Sequence, residues 1–324
     1  MKFLVTGGAG YIGSHLVKHL QLKNHEVTVV DNFSTGNKWA INDCEIYEID
    51  LLDKFKLLSN FANRKFDGIF HLAAKSLVSE SFRFPNLYYQ NNVVATQNIL
   101  DLMSKTSTEK IVFSSTAAIF GLPLEMKIKE QHQKNPINPY GSTKLQAEEI
   151  LKNFSIKNNI KCISLRYFNA AGADPAGTIG EYHNPETHLI PRACNSIFSD
   201  CDVLEVFGND YNTPDGTCIR DYVHVNDIVN AHFLAFANLD KNKFYDDFNL
   251  GNSIGFSVLD IIKTIEKLSG KKVNYKFVRE RDNEPGHLVA DNVKAIKELN
   301  WNIKYSNIDN IISSALLWHK NLLN

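Results

Sequence analysis

The sequence predicts an α/β protein: a doubly wound parallel sheet joined to a smaller α/β domain. Three observations carry that prediction. The first half alternates short, almost wholly apolar runs with longer helical stretches, as in a parallel sheet buried on both faces. A glycine cluster stands between the first apolar run and the first helical stretch. After Arg166 the texture changes to a segment rich in Gly, Pro, Asn and Asp, followed by shorter, mixed elements.

The elements follow in order. Strands are expected at Lys2–Thr6, Glu26–Val30, Gly68–Leu72, Lys110–Ser114 and Lys161–Arg166. Helices are expected at Tyr11–Gln21, Asn86–Lys105 and Tyr140–Ile156. Asn169–Pro191 reads as mostly loop. Beyond it come helices near Pro191–Ser199, Asn226–Asn238 and Ser257–Leu268, and a strand at Val203–Phe207. Ile308, Ile311, Ile312, Ala315 and Leu316 have the i, i+3, i+4 spacing of an amphipathic helix. The 324 residues suit two domains better than one core. The expected division is 1–170 and 171–324, with a return to the first domain around 223–251. No repeat or linker-like tract separates them.

Composition narrows the function. A net charge of -1 gives no basic excess for nucleic acid or an anionic membrane. No apolar stretch approaches the ~20 residues of a membrane helix. Met1-Lys2 leads directly into Phe3-Leu4-Val5-Thr6, too short a run for a signal-peptide core. The five cysteines (Cys44, Cys162, Cys194, Cys201, Cys218) are odd in number and lack CxxC spacing. Reduced thiols and a cytoplasmic setting are the expectation.

Gly7-Gly8-Ala9-Gly10-Tyr11-Ile12-Gly13 satisfies GxGxxG as Gly8, Gly10 and Gly13. A tight turn, a bare backbone for a pyrophosphate and close helix–strand packing all require glycine there. The pyrophosphate then meets the free N–H groups of a helix N-terminus. Asp31 ends the second strand, where a carboxylate accepts from the adenosine ribose and repels a 2′-phosphate. The first domain is therefore expected to be Rossmann-type and to bind NAD rather than NADP.

Tyr140 and Lys144 stand at i, i+4, on one helical face. For a tyrosine to act as a base near pH 7, its pKa must fall by ~3 from about 10. A neighbouring ammonium and a positive nicotinamide together could supply this. Thr116 ends the strand before that helix, at the sheet edge where ligands bind, and is expected to hydrogen-bond a reacting oxygen. His183, Glu186 and His188 could suggest a metal. Their spacing matches no zinc helix motif and Pro185 breaks any helix there, so no metal is expected. His71, His224, Trp301 and Trp318 read as structural residues.

These motifs resemble the extended short-chain dehydrogenase/reductase family. Further segments narrow the resemblance to its UDP-hexose 4-epimerases: Val29–Gly36, Arg166–Ala173, Gly180–Pro191, Val206–Tyr211 and Arg220–Val225. It runs nearly the whole chain. It implies tightly held NAD and a UDP-sugar interconverted at C4 through a transient 4-keto sugar, as in galactose metabolism. It implies a homodimer packed through 86–105 and 140–156. For the cofactor it points to Gly7, Gly10, Tyr11, Ile12, Gly13, Asp31, Asn32, Ser34, Thr35, Asp50, Leu51, Leu72, Ala73, Ala74, Ser76, Asn91, Ser114, Tyr140, Lys144, Tyr167 and Phe168. For the nucleotide sugar it points to Thr116, Tyr140, Asn169, His188, Leu189, Val206, Phe207, Arg220, Arg281 and Glu284. The two arginines suit a diphosphate, which favours forked guanidinium donors.

The chain departs from the family pattern in places. Lys75 stands one place before Ser76, where many members have lysine. His188 replaces a common Asn. The usual Arg-x-Gly-Asp reads Arg281-Asp282-Asn283-Glu284. Leu288 falls where relatives vary residue size near the sugar. These leave open whether UDP-N-acetylglucosamine, UDP-pentose or UDP-glucuronate is a substrate. A 4,6-dehydratase also needs an acid and base to remove a C5 proton and expel the 6-hydroxyl, and Ala117-Ala118 after Thr116 supplies neither. An NAD-sensing regulator without turnover would have no need of Tyr140 and Lys144.

Overall fold

The computed structural model describes residues 1–198, 203–240, 243–281 and 284–322. The chain opens with β1 (Lys2–Thr6), α1 (Tyr11–Leu22), β2 (Glu26–Asp31), β3 (Glu45–Glu48), α2 (Lys54–Phe61) and β4 (Gly68–His71). It continues through α3 (Val78–Arg83), α4 (Pro85–Tyr89), α5 (Ala95–Thr106), β5 (Lys110–Thr116), α6 (Pro139–Asn158) and β6 (Lys161–Tyr167). β7 (Asn169–Ala171), α7 (Leu189–Phe198), β8 (Leu204–Phe207) and β9 (Ile219–His224) then leave the sheet. The chain returns through α8 (Val225–Asn238) and β10 (Tyr245–Leu250). It ends with β11 (Gly255–Ser257), α9 (Val258–Ser269), β12 (Tyr275–Val278), β13 (His287–Leu288), α10 (Val293–Leu299) and α11 (Ile308–Leu322).

Seven parallel strands make the central sheet, in the order β10-β6-β5-β4-β1-β2-β3. The order reverses between β1 and β4, which opens a crevice at the carboxyl ends of those strands. Both faces are covered. Phe3 and Val5 pack with Leu16, Val17, Val229 and Phe236 from α1 and α8. Leu4 and Val30 point the other way, to Leu57, Ile99, Met103 and Leu151 from α2, α5 and α6. This is the doubly wound α/β fold expected from the sequence.

The remaining strands form two small sheets. In one, β9 pairs with β7, β11 and β13; in the other, β8 pairs with β12. Ile190, Ala193, Val206, Ile261, Ile265, Ile311 and Ile312 bind α7, α9 and α11 around them.

Three departures from the expected elements have physical reasons. β3 was not foreseen, because Glu45-Ile46-Tyr47-Glu48 is an exposed edge strand without an apolar run. β5 runs on to Thr116, since every residue to that point pairs with β6. The helix expected at 86–105 is divided into α4, a π-helical turn at Gln90–Val94, and α5. That wider turn carries Asn92 inward. Its amide donates to Lys75 O and Thr143 Oγ1, and its carbonyl accepts from Lys75 N.

Candidate active site

The register of the sheet brings the expected cofactor residues to one edge. Thr6 stands opposite Val30 and His71, and Thr116 opposite Tyr167. The glycine loop leaves β1 there. Gly7 has φ +70°, and a Cβ on it would lie 2.5 Å from Ala73 N. A Cβ on Gly13 would lie 2.1 Å from Gly7 O. At Gly10 the nearest atom would be Gly7 O at 3.4 Å, so this face is open for a pyrophosphate. Tyr11 donates to Gly172 O at 2.5 Å and ties the start of α1 to the segment after β7, while Ile12 packs on the core.

Asp31 accepts from Ala9 N at 3.0 Å and Phe33 N at 2.8 Å. Burial raises its carboxyl pKa, and these backbone donors oppose the rise. Each carboxylate oxygen keeps lone pairs for a ribose. Asn32 donates to Asp50 and accepts from Ser34 N, while Ser34 and Thr35 are exposed. Leu51 is buried, and its carbonyl accepts from Asn98. Leu72 and Ala73 are fixed by Thr6, Ala74 is half-buried and Ser76 is exposed. Asn91 is turned onto its own helix, donating to Leu87 O at 2.9 Å; the inward residue at this place is its neighbour Asn92.

His71 sits between two hydroxyls. Thr96 donates to Asn92 O, so it accepts from His71 Nε2, and Thr6 donates to His71 Nδ1 at 2.7 Å. A second chain lies under Tyr167. His232 Nδ1 bonds Ile228 O, so its Nε2 accepts from the Tyr167 hydroxyl in a short bond. Ser114 therefore donates to Tyr167 at 2.7 Å and keeps its lone pairs for a ligand. Phe168 packs against the small buried cluster of Ala117, Ile119, Phe120 and Ile128. The Asn169 side-chain oxygen is buried without a partner, as an atom reserved for a donor of the ligand would be.

Tyr140 and Lys144 lie in the first turns of α6, which Asn138 caps through Gly141 N. Burial pushes the Tyr140 phenol up, opposed by its hydrogen bond with Thr116. Among the chain's own groups, burial outweighs the Thr116 hydrogen bond at Tyr140. Lys144 is buried over the Phe113 ring, 4.4 Å from its centre. Burial lowers its pKa to about 7, against the attraction of Glu148. Glu148, one turn further on, was not foreseen. It accepts from Ser115 and pairs with the wholly buried Arg166 at 2.7 Å. The i, i+4 step from Lys144 was the available signal.

The nucleotide-sugar residues gather on the small sheets. Val206 is buried, and Phe207 lies beneath the Arg281 guanidinium at 3.9 Å. Arg220 donates to Glu284 at 3.0 Å, with Arg281 3.8 Å from the same oxygen. Leu189 opens α7. Asp282, Asn283 and Cys201 lie outside the described residues.

The three residues considered for a metal do converge. Glu181, His183, Glu186 and His188 have donor atoms within 4.8 Å of one another. His188 Nδ1 is 2.6 Å from Glu181, however. Donors held at 2.0–2.2 Å by a tetrahedral zinc stand roughly 3.3 Å apart, so this contact is a hydrogen-bonded ion pair.

Residues 3–251 match the family model described as NAD dependent epimerase/dehydratase family, and the chain belongs to that family. It is 42% identical to UDP-glucose 4-epimerase of Halalkalibacterium halodurans, covering 99% of this chain and 96% of that protein. A crystal structure of UDP-glucose 4-epimerase from Brucella ovis in complex with NAD superposes with a TM-score of 0.93 at 42% identity, over 97% of each chain. The UDP-Glc/GlcNAc 4-epimerase of Campylobacter jejuni superposes with a TM-score of 0.86 at 40% identity, over 99% of each chain. The resemblance read from the sequence is borne out, as is the expectation of an NAD-dependent epimerase.

Proposed function

We propose that the chain interconverts UDP-galactose and UDP-glucose. The carrying observation is the meeting of Tyr140, Lys144 and Thr116 with the glycine loop at one sheet edge. The residues at that edge fit NAD: an open Gly10, a carboxylate at the ribose position, and Ser114 with free acceptor lone pairs. The unpartnered oxygen of Asn169 is left for the nucleotide sugar. When bound, NAD supplies reversible hydride exchange at the sugar's C4. Tyr140, as phenolate, takes the proton of the 4-hydroxyl and returns it after the 4-keto sugar has turned over in the pocket. Thr116 steadies that oxygen, and buried Lys144 places a positive charge beside the phenolate. Arg220 and Arg281 grip the diphosphate while the hexose stays free to rotate.

The domain division is read as 1–170 with 223–251 for NAD and the remainder for the nucleotide sugar. It is supported by the pairing of β10 with β6. Homodimerisation through 86–105 and 140–156 is supported by exposed Leu87, Tyr89 and Ile156. Light scattering at twice the chain mass is expected, and a monomer would refute it. A cytoplasmic setting is supported by the unpaired Cys44, Cys162, Cys194 and Cys218. Among the described residues no helix is long and apolar enough to cross a membrane.

The experiment is incubation of the purified protein with UDP-galactose, no cofactor added, followed by NMR. UDP-glucose formation is expected. If none forms even with NAD supplied, the substrate assignment fails. Conversion of UDP-N-acetylglucosamine alone would then move the assignment to that substrate, one of the two named for the Campylobacter jejuni relative.

A further inference from the structure

His188 stands at the mouth of α7, half-exposed, among the residues that the family resemblance implies for the nucleotide sugar. Its Nδ1 is bound to Glu181 at 2.6 Å, which turns Nε2 to the opposite side of the ring. Glu181 itself is 6% exposed, and its carbonyl accepts from Trp318 Nε1 at 2.8 Å. Glu186 lies on the other flank. One of its oxygens accepts from Thr187 N and His188 N, and the other stands 3.3 Å from His183 Nδ1. Two carboxylates with little access to water thus face two imidazoles, of which His188 is the more exposed and makes the closest contact.

We propose that Glu181 is a positioning residue for UDP-sugar binding: its carboxylate holds His188 Nδ1, so that Nε2–H is presented to the nucleotide sugar. The inference rests on the UDP-sugar reading and deepens it. A neutral asparagine at this place could donate one hydrogen bond; a protonated histidine adds charge and strengthens that bond. Glu181 then does for His188 what Glu284 does for Arg220, setting the donor before the ligand arrives.

The charged surroundings agree. Burial alone would lower the His188 pKa, but Glu181 and Glu186 outweigh it and raise it to about 9, with Arg281 opposing. Tyr11 of α1, Cys194 of α7 and His319 of α11 also face these carboxylates. The Tyr11 phenol is raised and the Cys194 thiol is raised, burial being the main cause in both. Burial lowers His319, which leaves it uncharged near neutrality. His183 is the other imidazole in the cluster.

The sign of the pH effect follows. A group held charged up to a raised pKa serves binding at neutral pH and fails as pH rises through that value. UDP-glucose is the probe: its sugar-capped diphosphate has no proton to lose, but its uracil N3–H is lost in the alkaline range, so wild type and variants are compared between pH 7 and 8.5. With the NAD-bound enzyme, the KM for UDP-glucose should stay level there, below the His188 value of about 9. In Glu181→Gln the KM should already climb within that range. KM at pH 8 should rise about tenfold, the scale of one charge-assisted hydrogen bond, with kcat little changed. Glu181→Asp should restore part of the wild-type profile. Glu181→Gln with the wild-type KM profile overturns the proposal. If that variant does not fold, His188→Gln decides, since its imidazole is half-exposed. Its KM at pH 7 should rise about tenfold with kcat little changed, and an unchanged KM overturns the proposal. Failure of the wild-type enzyme to bind UDP-glucose at all would instead strike the UDP-sugar reading itself.

Discussion

Tyr140 shows why the reacting residues need their setting. A phenol buried by α6 and raised above its ordinary value is a poor base by itself. Its neighbours are a threonine hydroxyl and a lysine whose ammonium burial has also made costly, and bound NAD adds a second positive charge nearby. Tyr140→Phe should retain NAD, seen by absorbance, and lose about 10³-fold in kcat. Near-normal turnover would remove Tyr140 from the chemistry. The residues of this scale were largely legible, because glycine loops and Tyr–Lys pairs carry their spacing in the chain. The polar supports were not. His232 under Tyr167, Glu148 beside Lys144 and Glu181 beside His188 are defined by partners far along the sequence or by a loop's course. The inward turn of Asn92 has the same origin: a π-helical turn shifts which neighbour faces inward, and helical counting does not reveal it.

Among the elements, α6 is the one that joins the reacting residues to the sheet. Its Glu148 binds Ser115 of β5, Arg166 of β6 and, at 3.3 Å, Tyr245 of β10. Arg166 is also bound by Asp247 at 3.0 Å. Burial raises the Glu148 carboxyl, and the Arg166 guanidinium overrides this and holds it below its ordinary value. Glu148→Gln leaves a buried guanidinium with half its counter-charge. A stability loss of about 3 kcal/mol in urea unfolding is expected, with Glu148→Asp recovering part of it. A loss within 0.5 kcal/mol, the ordinary range of surface substitutions, would mean that Asp247 alone suffices. Long apolar strands and amphipathic helices were readable from periodicity. The edge strand β3 and the two-residue β13 were not, since neither buries enough apolar surface to leave a pattern.

For the whole molecule, the fold depends on histidines kept neutral. His15, His224 and His232 have pKa values lowered to about 4, and His71 to about 3, burial being the first cause in each. The unfolded chain binds these protons near pH 6.5, and the folded chain does not until pH 3–4. Stability is therefore lost as pH falls below about 6.5. Asp221 acts oppositely: burial raises it to about 7, so it adds stability as pH falls towards 4. His19 is lowered to about 4 as well, and Asp31 and Glu130 are raised as Asp221 is, so the loss from the histidines is partly offset and urea unfolding should show a net loss of roughly 5 kcal/mol between pH 7 and pH 5. An unchanged midpoint would contradict this balance. The overall α/β order was legible from the alternation of elements. The return of 223–251 was only partly so, because Val223–Gly251 resembles any other helix-and-strand stretch until β6 is seen to need a neighbour.

Trp318, whose indole N–H holds the Glu181 carbonyl, also stacks on Trp39 at 5.6 Å between ring centres. The chain has three tryptophans, and the remaining one, Trp301, is sealed in the core. Trp39 is about half open to solvent. The molecule therefore carries its own optical gauge. Light emitted by the stacked pair reads the posture of the Glu181 segment, and Trp301 provides a steady background against which it is seen.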